Sequence, residues 1–433
     1  MTSDDIVAGA DARIAAHRTA DVSLTLRDPG GNRLPAGLVA SVEQVRHEFL
    51  FGCNTYSWGR CGTPDGDRAY ADRFSALFNY ATLPFYWGPV PPYPQLEAYE
   101  GAEGSTREEA TRDLARWCVR RGIAPKGHPL LFFREPAWLA GRSPDELERF
   151  LWARVTREVA AFGGLIDIWD VVNEPTNMLR EAPEQGAYAS SQAYHRLGEV
   201  GVIARAFALA RAANPRATLV LNEVDMSSRF LDLVERCLDA GVPIDAIGIQ
   251  SHELERYSGP QEVWALCERF GRFGLPLHVT ELMLPSGDDG LRASFDWTRR
   301  ADWVTTGAGE RRQAAEVEEL YRVLFSHPAI AAVTWWDLAD RGACLATPTG
   351  LLRPDLTPKP AYHALTRLVR DQWWTRAEAT VQSEGKVRFR GFFGHYRVRV
   401  ADAQGSLDGL CEVHAGENRP VELRLSRADP VAG

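Results

Sequence analysis

The sequence predicts an α/β protein that folds as a (β/α)8 barrel, with a small accessory β-sandwich formed by the N- and C-terminal segments. Three observations indicate the barrel. Short, nearly continuous apolar runs occur eight times between residues 48 and 340, helix-like segments separate them, and polar side chains gather where most of the runs end. Apolar runs of this kind are typical of parallel strands buried on both faces, and eight alternating strands and helices close into a barrel.

The predicted barrel occupies residues 48–372. Its strands are EFLFGCN (48–54), YATLPFYW (80–87), APKGHPLLF (124–132), LIDIWDVVNE (165–174), ATLVLNE (217–223), AIGIQSHE (246–253), LPLHVTEL (275–282) and AVTWWDLAD (332–340). Between them, STRE at 105–108 and SPDE at 143–146 match the capping box that opens a helix. The segment at 309–325 places its apolar residues on one helical face.

The two ends of the chain differ from the middle in pattern. Residues 1–47 contain two or three predicted strands around a DPGGN turn, and residues 378–433 contain four or five short ones. KVRFRGF and HYRVRV alternate polar and apolar residues, as half-exposed antiparallel strands do. Neither segment is large enough for a core of its own, so we expect the N-terminal strands to pair with the C-terminal module.

Composition excludes several classes of function. The 433 residues carry 49 basic and 58 acidic side chains, a net charge of −9, without a basic tract, which argues against binding to nucleic acid or to an anionic membrane. Seven scattered cysteines have no metal-binding spacing and indicate free thiols in a reducing compartment. The first residues lack a signal-peptide pattern, so we expect a cytoplasmic protein. No metal or organic cofactor is expected; the oligomeric state stays open.

Polar side chains at the strand ends locate the predicted site. Asn173-Glu174 ends the fourth run, Gln250 and His252 end the sixth, and Glu281 ends the seventh. Active sites of such barrels lie at the carboxyl ends of the strands. Two glutamates across one barrel mouth are the equipment of glycoside hydrolysis, in which one carboxyl group acts as acid and base and the other as nucleophile.

These motifs resemble those of glycoside hydrolase family 10, best known for endo-β-1,4-xylanases, over residues 45–370. WDVVNEP resembles the acid/base motif and implies Glu174 in that role, and HVTEL resembles the nucleophile motif and implies Glu281. By the same resemblance, the residues implied to bind the substrate, a β-linked carbohydrate, are Lys126, His128, Asn173, Gln250, His252 and Trp335.

The sequence also departs from the family. The segment after strand two that usually holds the sugar in subsite −2 is FNYATLPFYW, in which only Trp87 is retained. After the strand-three histidine, Phe132 and Phe133 replace a tryptophan and a histidine, and another family tryptophan is replaced around Cys344. Three functions therefore stay open: a retaining endo-xylanase, an exo-acting or aryl β-glycosidase with another specificity, and a sugar-binding protein without turnover.

Overall fold

The computed structural model describes residues 1–178, 189–416 and 421–427. The chain begins with two helices and two strands: α1 (Ser3–Ala8), α2 (Ala10–Arg18), β1 (Thr19–Arg27) and β2 (Val39–His47). The barrel region follows with β3 (Leu50–Asn54), α3 (Pro64–Leu77), β4 (Tyr80–Pro84), β5 (Glu100–Ala102), β6 (Ser105–Thr106), α4 (Glu108–Arg120), β7 (Ala124–His128), α5 (Pro144–Ala161), β8 (Ile168–Asn173), α6 (Ala189–Ala213), β9 (Thr218–Glu223), α7 (Ser228–Asp239), β10 (Ala246–Ile249), α8 (Gly259–Gly271), β11 (Leu277–Leu282), α9 (Asp289–Ala293), α10 (Gly307–Ser326), β12 (Ile330–Trp335) and α11 (Pro360–Thr366). The chain continues with β13 (Arg376–Thr380), β14 (Lys386–Phe392), β15 (Gly394–Asp402), β16 (Gly405–Val413), β17 (Val421–Arg424) and β18 (Ser426–Arg427).

Eight parallel strands close into the barrel in the order β10-β11-β12-β3-β4-β7-β8-β9. This confirms the predicted fold class. Each strand lies within its predicted run, except that β12 begins two residues before residue 332. The strands are almost fully buried on both faces, as nearly continuous apolar runs require.

One of the two predicted capping boxes is present. The Ser143 side chain accepts from the Glu146 amide, and the Glu146 carboxylate accepts from the Ser143 amide, at the start of α5. The box predicted at Ser105 is wrong: Ser105 lies in β6, which pairs with β5, and α4 begins at Glu108 without a side-chain cap. The local pattern fits both places, and only the hairpin contact selects between them.

Two further sheets each combine strands from both ends of the chain. β1 lies between β14 and β17, and β2 lies between β13 and β15 in a sheet that continues to β16 and β18. A second apolar core fills the space between these sheets and includes Leu24, Val42, Val398 and Leu425. Before β1 the chain forms α1 and α2, for which no prediction was made, and Arg18 at the end of α2 donates to carbonyl oxygens after α10.

Candidate active site

Glu281 ends β11 with its carboxylate held by neighbours on the barrel strands. Asn222, on β9, donates from Nδ2 to Glu281 Oε1 at 3.0 Å. The Nε2 atom of His252 lies 3.4 Å from Glu281 Oε2 and 3.0 Å from Gln250 Oε1. Because Glu281 Oε2 and Gln250 Oε1 are both acceptors, Nε2 is the ring nitrogen of His252 that carries the proton, and it faces the Glu281 carboxylate. Asn222 and His252 thus fix the position of the Glu281 carboxylate at the end of β11.

Glu174 follows β8 in a strained backbone conformation. Its φ angle is 52°, a left-handed value that is uncommon outside glycine, and its amide donates to the Asn222 carbonyl at 2.9 Å. Such strain persists where the surroundings fix it, and it often occurs at functional sites. The turn directs the carboxyl group toward the cavity that Glu281 also lines.

The Glu174 carboxyl group has an environment that favours its protonated form. Burial, followed by the negative charge of Glu281, raises its pKa, although Asn177 donates to Oε2 at 3.1 Å and Gln250 donates to Oε1 at 3.2 Å. Asn173 Nδ2 lies 3.4 Å from Oε1. Two carboxyl groups at one cavity, one well supplied with donors and the other with a raised pKa, have the properties expected of a nucleophile and a general acid.

Lys126 and His128 lie one layer deeper, inside the barrel. Both are fully buried and share one partner: Asp170 Oδ2 lies 2.7 Å from Lys126 Nζ and 2.6 Å from His128 Nδ1. Burial opposes ionisation of Asp170, but the two bases outweigh it and lower its pKa. His128 Nε2 lies 3.0 Å from the Tyr86 hydroxyl and 3.9 Å from Glu281 Oε1. Lys126 thus supports the site through Asp170, and neither Lys126 nor His128 lines the cavity.

The strand-eight tryptophan that faces the cavity is Trp336, and the prediction for Trp335 is corrected accordingly. Trp335 is fully buried in the barrel core and donates from Nε1 to the Thr349 carbonyl at 3.1 Å. Trp336 lines the cavity and packs edge-on against Tyr56 and His128. Adjacent residues in extended backbone point to opposite sides, and sequence alone does not show which side faces the mouth.

Trp87 also lies outside the cavity lining. Its Nε1 donates to Glu100 Oε2 at 3.0 Å, and its ring packs edge-on against Trp138. These contacts hold the segment after β4 together, and substrate contact by Trp87 stays a prediction.

The cavity has a volume of about 530 Å³ and collects residues from most strand ends. Of the predicted site residues it is lined by Glu174, Gln250, His252 and Glu281. The loops after three strands contribute an apolar wall to the cavity, by which we mean Val90 and Pro92 after β4, Phe132 and Phe133 after β7, and Leu345 after β12.

Three functional neighbours had weak or no signals in the sequence. The side chain of Asn222 donates a hydrogen bond to Glu281. From the sequence LNE (221–223) alone, Asn222 is interpreted equally well as a residue that leads into α7. Asp170 is the second residue of WDVVNEP, and an acidic side chain within an apolar run is its only signal in the sequence. Tyr86 comes to His128 through the parallel pairing of β4 with β7.

A family model described as Glycosyl hydrolase family 10 matches residues 95–368. The chain belongs to this family. As a family 10 member it is a glycoside hydrolase, which removes the hypothesis of a purely sugar-binding protein.

Among similar proteins, Endo-1,4-beta-xylanase A of Cellvibrio japonicus is 30% identical over 279 residues, which are 58% of this chain and 45% of that enzyme. Endo-1,4-beta-xylanase B of Thermotoga neapolitana is 25% identical over 365 residues, 79% of this chain and 94% of its own length. The structure of xylanase 10B from Thermotoga petrophila in complex with xylobiose superposes with a TM-score of 0.57 at 22% identity. That match covers 75% of this chain and 95% of the other, and it shows the shared fold.

Within the part of the chain that the structure describes, no three His, Cys, Asp or Glu side chains are arranged to hold a metal ion. None of the described helices is long and apolar enough to cross a membrane.

Proposed function

We propose that this family 10 enzyme is a retaining β-glycoside hydrolase that cleaves β-1,4-xylosidic bonds in xylan or xylo-oligosaccharides. The observation that carries the proposal is the contrast between two carboxyl groups on one cavity: Glu281 is held by Asn222 and His252, and burial raises the pKa of Glu174. The sugar is inferred from the relatives named endo-1,4-beta-xylanase.

In the proposed reaction, Glu281 attacks the anomeric carbon while Glu174 gives its proton to the leaving oxygen. The glycosidic bond breaks, and a covalent glycosyl ester forms at Glu281. Glu174, now a carboxylate, takes a proton from water, whose oxygen displaces Glu281 and releases the sugar with retained configuration. Gln250 links the surroundings of the two glutamates. Its side chain donates to Glu174 and accepts from His252, which lies beside Glu281.

An exo-acting β-glycosidase is the second candidate, and the loops around the cavity favour it. The Leu345 amide donates to the Pro92 carbonyl at 3.1 Å, and the Leu345 carbonyl accepts from the Arg300 amide at 2.9 Å. Loops after β4, β11 and β12 are thereby tied to one another beside the catalytic pair. A second sugar on this side meets the apolar wall instead of an open cleft.

The test compares an aryl β-xyloside with an aryl β-xylobioside, using the wild type and Glu281→Ala. Preference for the xylobioside, lost in the variant, supports the endo-xylanase; preference for the monosaccharide supports the exo-acting enzyme. Proton NMR of the first-formed product checks the mechanism. A product of opposite anomeric configuration would overturn the assignment of Glu281 as nucleophile.

A further inference from the structure

The two sides of the cavity differ in chemistry. One side presents the carboxyl groups of Glu174 and Glu281, with Gln250 and His252 between them. The loops after β4, β7 and β12 contribute a second side, which presents the apolar wall. Among the described residues that line this second side, Arg134 is the only one with a charged side chain, and its guanidinium lies over the Phe133 ring, 4.8 Å from the centroid.

The phenol groups on the wall side are already engaged. The Tyr93 hydroxyl donates to Asp337, 3.1 Å from Oδ1, and the Tyr86 hydroxyl lies 3.0 Å from His128 Nε2. Apart from Arg134, the side chains of this side are apolar or already engaged, so most hydroxyl groups of a sugar placed here would lose water without gaining a matching partner. A polar group buried without a partner weakens binding, whereas an apolar group gains from burial at the same place.

The wall is fixed in position by bonds between loops. Leu345 has a φ angle of 53°, unusual for leucine, and is held by backbone hydrogen bonds to Pro92 and Arg300. Phe132 and Phe133 are tilted against each other with ring centroids 4.1 Å apart. Preformed apolar surface of this kind binds without a large ordering cost.

We propose that the apolar wall binds an aryl- or acyl-type group carried by a single β-linked sugar, in place of a second sugar. The inference rests on the proposed function of the catalytic pair and narrows its substrate class. The apolar group has two chemical sources, an aryl leaving group on the anomeric carbon or an acyl ester on the glycone, and both offer the same flat apolar surface.

Binding of thioglycosides tests the proposal without turnover, because sulfur replaces the scissile oxygen. Calorimetry with the wild type compares methyl and phenyl 1-thio-β-xylosides, the methyl thioxyloside benzoylated at O4, and a xylobioside with sulfur in both linkages. The matching β-glucosides are measured in parallel. We expect the phenyl or the benzoyl compound to bind at least about tenfold tighter than the methyl compound, consistent with burial of an aryl group, and tighter than the thio-linked disaccharide.

Two variants probe the wall. Leu345→Asn suits the left-handed backbone, which asparagine tolerates better than leucine, and Val90→Thr keeps the side-chain shape while adding a hydroxyl. Each is expected to reduce the aryl-to-methyl affinity ratio at least about threefold. Val39→Thr makes the same change at a position that is 53% exposed on β2, and should leave the ratio unchanged.

The outcomes separate the two proposals. Tighter phenyl binding identifies an aryl leaving group and tighter benzoyl binding an acylated glycone; both support the inference. It is overturned if neither compound gains over its methyl glycoside in either sugar series, or if the disaccharide binds tightest. Hydrolysis of xylobiosides without an aryl gain refutes the wall inference alone. An aryl gain with no hydrolysis of any β-glycoside refutes the proposed function alone.

Discussion

Asn222 donates from one amide group to both Glu281 Oε1, at 3.0 Å, and Asn173 Oδ1, at 2.7 Å. The side-chain oxygen of Asn222, Oδ1, accepts from the Thr280 hydroxyl at 2.6 Å, and this hydrogen bond fixes the orientation of the side-chain amide. One side chain on β9 therefore aligns the end of β11 with the residue before Glu174.

Replacement of Asn222 by leucine should slow catalysis more than it weakens binding. A hydrogen bond to a charged group contributes about 1.5–3 kcal/mol, so we expect kcat to fall about 10- to 100-fold with a smaller change in KM. Steady-state kinetics on an aryl β-xyloside measures both. Thr280→Val is the matched control. It removes only the hydroxyl group that orients the Asn222 side chain, so its kcat should fall less than that of Asn222→Leu. Equal kcat values in wild type and Asn222→Leu would contradict the role.

The pH dependence of kcat/KM should report Glu174, because the general acid acts in its protonated form. Asn177 donates to the Glu174 carboxylate and lowers its pKa. Asn177→Leu therefore raises the pKa of Glu174, and the alkaline limb of the profile should move to higher pH. Profiles are recorded with a poor leaving group, and Gln372→Leu, an exposed position, serves as control. A limb that moves to lower pH would show that another group controls it.

Glu223 should make unfolding depend on pH. Burial raises the pKa of this carboxyl group to about 7, even though the Thr176 amide donates to it at 2.9 Å. The folded state then binds more protons than the unfolded state between about pH 4.5 and 7, so stability present below this range is lost as pH rises through it. The loss is at most about 3 kcal/mol.

Urea unfolding of wild type and Glu223→Gln at several pH values between 4 and 8 measures the effect. The free energy of unfolding should fall with pH in the wild type and fall less in the variant. Asp337, whose pKa burial raises to about 6, acts in the same direction and accounts for a residual slope. Parallel slopes in the two proteins would rule out Glu223 as the source.

Substitutions of the two adjacent tryptophans should have different effects on KM. Trp336→Phe should raise KM several-fold, because the ring borders the cavity. Trp335→Phe should lower the free energy of unfolding by about 1–3 kcal/mol, as substitutions in a packed core do, and leave KM nearly unchanged. Thermal melts and kinetics on the pair give a direct comparison. The reverse pattern would restore Trp335 as the substrate platform.

Removal of residues 1–47 should destabilise the C-terminal strands, since β1 and β2 each lie between two of them. Hydrogen exchange of residues 376–413 would show the loss of protection. Removal of residues 1–9 alone leaves both strands and is the matched control. Unchanged protection after the larger deletion would mean that the C-terminal strands fold independently.

The sequence alone determined the barrel and the place of its two glutamates. Apolar runs and polar strand ends are local patterns, and the physics of a parallel barrel brings the carboxyl ends of its strands together. The tertiary structure decided which neighbours reach those glutamates. Whether Trp335 or Trp336 faces the cavity depends on side-chain direction at a strand end, and Trp87 bonds to Glu100 and does not line the cavity. The apolar wall likewise exists only where Pro92, Arg300 and Leu345, far apart in the chain, are joined by backbone hydrogen bonds.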